Sequence, residues 1–498
     1  MNLIPAAAEI LLFLLAIFVM LLDLFLPHRF RHVTSSLSLA SLLACGIASL
    51  CLFLSGGTVH TFQGAFVSDP LANLLKLAAC LVTLATLVYS RRYVDEHHLA
   101  HRWWGGDLHI LALFSLLGQM VLISSAHFLS LYLGMELMLL PLYALLALRR
   151  DATVTLEAAV KYFILGVLGS GFLLYGISLL YGATGTLSLR EMARVCLSGG
   201  INHTLLVPGL VLLVAGVALK LGAVPFHMWV PDVYEGAPPV VTLLIAGAPR
   251  IAIFALCFRV LAEALAPLSA SWQTIVLLIS LLSMALGNGV ALLQNNICRL
   301  LGYSAIAQMG FMLLGFLPDM PPSGSADAML NAYGAALFYM LVYVIAVLCA
   351  FGVIILLSRA DRERVTLDDF RGLGRTHPGY AFALSLSMLS LAGVPPLAGF
   401  YAKLGVLEAV IASGRVWVAV AAVIFAVIGA FYYLRVIRRM YFDPAANDAA
   451  GQESGALLPS RAVGLLLGVN ALLLLVFGIL PGSLLHFCTD AIAQALLL

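Results

Sequence analysis

The sequence predicts an all-α polytopic membrane protein. Three observations predict it: an extreme apolar composition, about fourteen apolar segments of membrane-crossing length, and two of those segments broken by proline at corresponding places. Of 498 residues, 62% are hydrophobic and 10% charged, against roughly 45–50% and about 25% in an ordinary soluble domain. A soluble globule of this size has too few polar groups to cover its exterior, whereas a helical membrane protein faces lipid with Leu, Val and Ile. The net charge of +2 comes with no basic patch, which excludes nucleic acid as a partner and leaves the lipid bilayer. The eight cysteines fall singly, with no Cys-x-x-Cys spacing, and read as small packing residues.

A hydrocarbon core of about 30 Å needs about 20 apolar residues in helical form. Such segments fall near 4–26, 34–54, 69–90, 107–124, 127–149, 155–182, 205–235, 239–264, 272–293, 299–317, 329–358, 378–413, 416–441 and 462–481. The first has no Lys or Arg ahead of its apolar run and is expected to be retained, not cleaved as a signal. The fourth and fifth adjoin through Ser124, Ser125, Ala126 and His127, and the seventh and twelfth are long and interrupted by proline. Seventeen basic residues, among them Arg29, Arg102, Arg150, Arg359, Arg362 and Arg364, collect in alternate loops; the other loops hold three, Arg190, Arg194 and Arg415. The Arg-rich side is predicted to be the inner one, which places both termini on the outer, periplasmic side of a bacterial-type inner membrane.

The broken segments carry the strongest internal pattern. Leu221-Gly222-Ala223-Val224-Pro225 in the seventh echoes Leu391-Ala392-Gly393-Val394-Pro395 in the twelfth. Proline removes a backbone donor and leaves carbonyls unpaired, which at membrane depth is tolerated where they line a polar cavity. Interrupted helices at corresponding places of two halves mark transporter repeats, with ion sites near the break. The two spans are five apart and cross in opposite directions. The predicted organisation is therefore a three-helix segment over 1–106, inverted five-helix repeats over 107–264 and 265–441, and a C-terminal helix and tail over 442–498.

Six basic residues, Lys76, Lys161, Lys220, Arg250, Arg259 and Lys403, fall inside apolar spans, and they include every lysine of the chain. A basic group at mid-membrane costs about 2.5–3.5 kcal/mol on insertion scales and normally faces a protein or water interior. Snorkelling or a structural ion pair is the alternative, and it weighs most for Lys76 and Arg259. Glu136 lies roughly 14 Å into the fifth span, near the bilayer centre. Lys161, Lys220 and Arg250, on the next three spans, are its available partners, and a Glu136–Lys220 pair is the specific expectation. Lysine exchanges a proton when burial lowers its affinity, whereas arginine stays charged. Lys161, Lys220 and Lys403 then read as proton carriers and Arg250 as a fixed charge. His227, just past the Pro225 break, reads as a proton shuttle toward the inner water or as a capping residue. The stretch Asp95-Glu96-His97-His98-Leu99-Ala100-His101 has a metal-site composition but no rigid ligand spacing, and reads as a solvated loop.

Residues Pro225-Phe226-His227-Met228-Trp229-Val230-Pro231-Asp232-Val233-Tyr234-Glu235-Gly236-Ala237-Pro238 resemble the signature of the antiporter-like membrane subunits of respiratory complex I, and the last eight are most similar to the subunit N branch of NADH-quinone oxidoreductase. The strings around Glu136, around Lys161 and from Arg299 agree with it, and the likeness runs from the first span to the last. The resemblance implies a fourteen-helix fold with two inverted five-helix repeats, broken seventh and twelfth helices, and no cofactor in this subunit. NADH, FMN, iron–sulfur clusters and quinone are implied at the level of the complex, with other membrane-arm subunits as partners. It also implies that Glu136, Lys161, Lys220 and Lys403 occupy the family's buried glutamate and lysine positions. The eighth-span position, usually lysine, is here Arg250, and a tenth-span histidine seen in some relatives is here Gln308.

The expected function is proton translocation driven by quinone reduction elsewhere in a larger enzyme, through Glu136, Lys161, Lys220, Arg250, Lys403 and His227. A subunit of a multi-subunit cation/proton antiporter and a structural membrane spacer are the competing readings.

Overall fold

Backbone that crosses hydrocarbon must pair its own N–H and C=O groups, and each of the fourteen segments is helical in the computed structural model, which describes residues 3–26, 31–101, 106–149, 152–198, 202–318, 325–358, 365–444 and 461–496. Arg29, Arg102, Arg150, Arg359, Arg362 and Arg364 lie outside the described residues. The first three spans are α1 (Ala7–Phe25), α2 (Arg31–Ser55) and α3 (Pro70–His101). A two-stranded hairpin, β1 (Val59–Thr61) and β2 (Phe66–Ser68), joins the last two. Helix α3 runs on to His101, so the stretch expected as a loop over 95–101 is helical, and its side chains lie outside the described residues.

Next come α4 (Asp107–Ile123), α5 (Phe128–Ala147) and α6 (Thr153–Thr184), then α7 (Leu189–Ser198), a short surface helix. The seventh span is split into α8 (His203–Leu221) and α9 (Trp229–Gly236). The eighth comprises α10 (Pro239–Ala246), α11 (Ala248–Cys257) and a π-helical turn over Phe258–Ala264. Pro249, at the start of α11, has no N–H to continue the ladder, and the chain bends at Gly247. After α12 (Ser269–Ala291), α13 (Ile297–Leu314), α14 (Ala326–Leu357) and the one-turn α15 (Leu373–Thr376), the twelfth span is split into α16 (Pro378–Ala392) and α17 (Ala398–Ala412). The chain closes with α18 (Val416–Tyr441), α19 (Arg461–Ile479) and α20 (Pro481–Leu496), so the expected tail is itself a helix. Among the described residues twelve helices are long and apolar enough to cross a membrane, and the shorter apolar helices Asp107–Ile123 and Pro378–Ala392 fill the places of the fourth and twelfth spans.

The eighth span and α14 are enclosed by protein along nearly their whole length, while α18 presents Trp417, Val420, Ile424, Val427 and Phe431 outward, as a lipid-facing helix does.

The two breaks share one geometry. Helix α8 ends at Gly222 (φ +68) and α16 at Gly393 (φ +85), in the left-handed region that glycine adopts without strain. At the first, the Ala223 N–H returns to the Ala218 carbonyl; at the second, the Val394 N–H returns to Leu389. These caps pair Gly222 with Gly393 and Pro225 with Pro396, which corrects the register of the sequence echo by one residue. Lys220 then matches Leu391, not a second lysine.

Gly399 lets α17 pack onto α16: a Cβ there would sit 1.8 Å from the Ser390 carbonyl oxygen, whereas a Cβ at Gly171 meets nothing within 4 Å. Gly399→Ala is expected to destabilise the protein by about 1–3 kcal/mol or more through overpacking, seen as a lower thermal midpoint of the detergent-solubilised protein. Gly171→Ala is expected to leave the midpoint unchanged.

Candidate functional site

A helix that stops inside the membrane leaves its last carbonyls without partners, and the site is built around those carbonyls. At the first break, the Arg250 Nη1 donates to the Leu221 carbonyl, the Trp229 Nε1 donates to Leu219 at 2.9 Å, and the Val224 N–H donates to Ser283 Oγ at 2.9 Å. At the second, the Lys403 Nζ donates to both Leu391 and Ala392 at 2.9 Å, and the Gln308 Nε2 donates to Leu391 at 3.0 Å. Each break is thus closed by a buried cation. The two arrive differently: Arg250 comes from the neighbouring span, whereas Lys403 reaches back from the second arm of its own.

Lys220, 4% exposed, points from α8 to α6, where its Nζ donates to the Gly166 carbonyl and to Ser170 Oγ, both at 2.7 Å. Helices α6 and α8 are close enough for this because Gly216 faces Leu173 with no room for a Cβ. The expected Glu136–Lys220 contact is not formed, because the α6 groups already take the ammonium's hydrogen bonds. Glu136 is half-buried on α5, within electrostatic range of Lys220, and its Oε1 is buried with no hydrogen-bond partner among the described residues. Lys220, Arg250, Tyr143, Tyr162 and Trp229 line a cavity of about 20 Å³, enough for one water molecule.

Arg250 is 1% exposed. Besides Leu221 it reaches the Tyr234 hydroxyl at 3.5 Å and lies over the Trp229 ring at 5.6 Å. Tyr343 on α14 is within electrostatic range of Arg250, Tyr234 and Tyr433. One helical turn away on α14, the Tyr339 hydroxyl donates to Gln308 Oε1. Gln308 also donates to Tyr433 at 2.9 Å. Gln308, Tyr339, Tyr343, Ser390 and Lys403 line a second cavity, of about 10 Å³. Lys220, Arg250, the tyrosines, Gln308 and Lys403 thus make a polar row from one break to the other that is not hydrogen-bonded throughout: among the described residues the Tyr343 hydroxyl has no hydrogen-bond partner. Sequence reading missed the tyrosines; the available signal was a phenol within an apolar helix, whose hydroxyl needs a partner once buried.

Lys161 is placed differently from the expectation of burial. Its side chain is 42% exposed and pairs with Glu157 and Asp232, each at 2.7 Å. Helix α6, with 32 residues, is roughly 48 Å long, so its first turns project beyond the hydrocarbon. Asp232 continues to Arg299 at 2.9 Å, and Arg299 to Glu235 at 2.7 Å. This ion cluster, on the side opposite the termini, was not foreseen although Asp232 and Glu235 stand in the quoted motif. His227 is half-buried in the turn after the first break, against the backbone at Pro225. Lys76 and Arg259 form ion pairs: Lys76 with Glu9 at 2.5 Å, and Arg259 with Asp69 and Glu263, each at 2.5 Å.

Residues 125–429 match the family described as "NADH:quinone oxidoreductase/Mrp antiporter, TM". The chain is 51% identical to NADH-quinone oxidoreductase subunit N of Herminiimonas arsenicoxydans, covering 100% of this chain and 99% of the relative. It is 45% identical to subunit N of Laribacter hongkongensis, covering 100% and 98%. Among solved structures, a chain of respiratory complex I from Thermus thermophilus with bound aureothin superposes with a TM-score of 0.78 at 31% identity, covering 96% of this chain and 98% of that one. A chain of the Mrp complex from Dietzia sp. superposes with a TM-score of 0.81 at 21% identity, covering 99% and 97%, a likeness of fold.

Arg250→Met leaves the Leu221 carbonyl unpaired and is expected to cost about 1–3 kcal/mol, whereas Lys161→Met removes an exposed pair and is expected to cost under about 1 kcal/mol. Thermal midpoints of the purified variants check the ranking.

Proposed function

From the premise that the chain belongs to the subunit N family of NADH-quinone oxidoreductase, we propose that it is a proton-translocating membrane-arm subunit whose buried polar row carries protons, with quinone reduction elsewhere in the complex supplying the energy. The single observation that supports this reading most is the row itself. Between the buried Lys220 and Lys403 lie Arg250, Tyr343, Tyr339 and Gln308, lining two small cavities, with Tyr343 within electrostatic range of Arg250. NADH, FMN, iron–sulfur clusters and quinone belong to the complex, and the other membrane-arm subunits and the lipid bilayer are this chain's partners.

In this reading the Arg-rich side is the inner face of a bacterial plasma membrane, and both termini lie outside. Protons arrive at the Lys161–Asp232–Arg299 cluster, with His227 offering an imidazole beside the first break. Lys220 carries the proton at the first break and Lys403 at the second. Arg250 keeps its own proton; its fixed charge, together with water in the adjoining cavity, governs passage between the two lysines. A phenol hydroxyl, such as those of Tyr234, Tyr339 and Tyr343, is able both to donate and to accept, which suits a relay. Glu136 is the switch: drawing its carboxylate toward Lys220 strengthens the ammonium's hold on its proton, and withdrawing it weakens that hold. Residues 107–264 and 265–441 act as the two repeats, flanked by the three-helix segment 1–106 and the terminal segment 442–498.

In the assembled complex in sealed vesicles, Lys220→Met and Lys403→Met are each expected to slow NADH-driven proton translocation at least about tenfold, the effect of a barrier raised by roughly 1.4 kcal/mol. Arg250→Lys, which keeps the charge, is expected to retain most of the rate. Full translocation by assembled Lys220→Met and Glu136→Gln variants would instead favour a structural spacer. Copurification without flavin and iron–sulfur polypeptides would favour a stand-alone antiporter.

A further inference from the structure

Away from the polar row, a groove of about 410 Å³ runs between α16 and α19 on the perimeter of the bundle. Its walls are apolar, with Phe382 and Leu386 from α16 facing Leu472 and Leu475 from α19. Phe382 and Leu472 are exposed, as side chains that meet lipid are. The groove exists because its walls carry glycine where a larger side chain would fill it. Gly379 and Gly468 both line it, and a Cβ at either would meet nothing within 4 Å. Deeper in the bundle the walls close up. A Cβ at Gly478 would run into the Pro396 carbonyl oxygen, so α19 lies directly on the turn of the second break.

Both helices start on the Arg-rich side, α16 at Pro378 and α19 at Arg461. The lining of α19 runs from Gly464 to Leu475, roughly 16 Å of helix, about half of a hydrocarbon core of about 30 Å. That is the depth of one leaflet. It accommodates an acyl chain, whereas a membrane-crossing helix needs the full thickness.

The mouth is basic. Arg461 is exposed in the first turn of α19, one turn before Gly464 and on the same helix face. Arg375 is exposed at the end of α15, just ahead of the residues that open α16. Among the described residues neither arginine has an ion-pair partner, because the carboxylates of this face are already taken. Asp368 pairs with Arg371 and Arg439, Asp443 pairs with Arg439, and Asp369 accepts from Thr366. Basic groups between membrane helices on this side of a bilayer favour anionic headgroups.

We propose that this groove binds an anionic phospholipid of the Arg-rich leaflet, with its phosphate held by Arg461 and Arg375 and one acyl chain laid between α16 and α19 along Gly379 and Gly468. The chain fills the space that the glycines leave and lies against the half-helix that ends at the second break. The site takes part in no step of the polar row and holds whether or not the row carries protons.

The test is photolabelling of the assembled complex in phosphatidylcholine vesicles. These carry a trace of phosphatidylglycerol with a diazirine on its acyl chain or, in a parallel sample, phosphatidylcholine with the same diazirine. Adducts are mapped by peptide mass spectrometry after illumination. Labelling of Phe382, Leu386 and Leu472 is expected to be at least about fivefold greater with the phosphatidylglycerol probe, the preference that one basic residue near the surface confers. That excess is expected to vanish in the Arg375→Gln, Arg461→Gln double variant. It is also expected to vanish in Gly468→Leu, whose side chain enters the open groove. Equal labelling by the two probes leaves only bulk lipid at this surface and overturns the proposal. No labelling by either probe shows that another polypeptide covers the groove and overturns it as well, as does an excess that persists in either variant. If the double arginine variant fails to assemble, Gly468→Leu decides alone.

Discussion

A carbonyl without a partner in hydrocarbon is expensive, and the two helix breaks create such carbonyls at Leu221, Leu391 and Ala392. The polar row follows from pairing them. Arg250 closes the first break, and Lys403 with Gln308 closes the second. Once a cation is drawn that deep, it needs company of its own. Trp229 stacks beneath Arg250, Phe311 lies 5.0 Å from the Lys403 Nζ, and tyrosine hydroxyls fill the remaining positions. The same groups that satisfy the backbone are the ones through which the proposed proton path runs.

The two halves use this device unequally. Their caps match hydrogen bond for hydrogen bond, yet Lys220 precedes its break and turns away to α6, while Lys403 follows its break and turns back onto it. A lysine held by a hydroxyl and a carbonyl of a neighbouring helix can be released by a movement of that helix. One that caps its own break moves with the break. In the proposed mechanism this difference makes Lys220, with Glu136 nearby, the responsive end and Lys403 the anchored one.

Much of this was legible in the sequence because the bilayer imposes simple arithmetic. Span positions, the broken helices and the burial of Lys220, Arg250 and Lys403 all follow from counting apolar residues. What was not legible depended on side-chain reach and helix length. Lys161 counts as buried by position, yet α6 is long enough to carry it out to Asp232 and Glu157. The Glu136–Lys220 pair fails because Gly216 admits α6 close enough to offer Lys220 nearer partners. The echo between the breaks misled by one residue, since Leu, Ala, Val and Pro repeat easily; pairing the two glycines that must adopt positive φ would have found the register. Lys76 and Arg259 found acidic partners on other spans, Glu9 and Asp69, which no local pattern connects.

The claim that protons pass between the two breaks along the row is tested most directly at Tyr339, where a single hydroxyl joins α14 to Gln308. Tyr339→Phe keeps the ring and its packing and deletes only that hydroxyl. The measurement is the number of protons translocated per NADH oxidised by the assembled complex in sealed vesicles. The account predicts a reduced ratio with the complex intact. An unchanged ratio would contradict it.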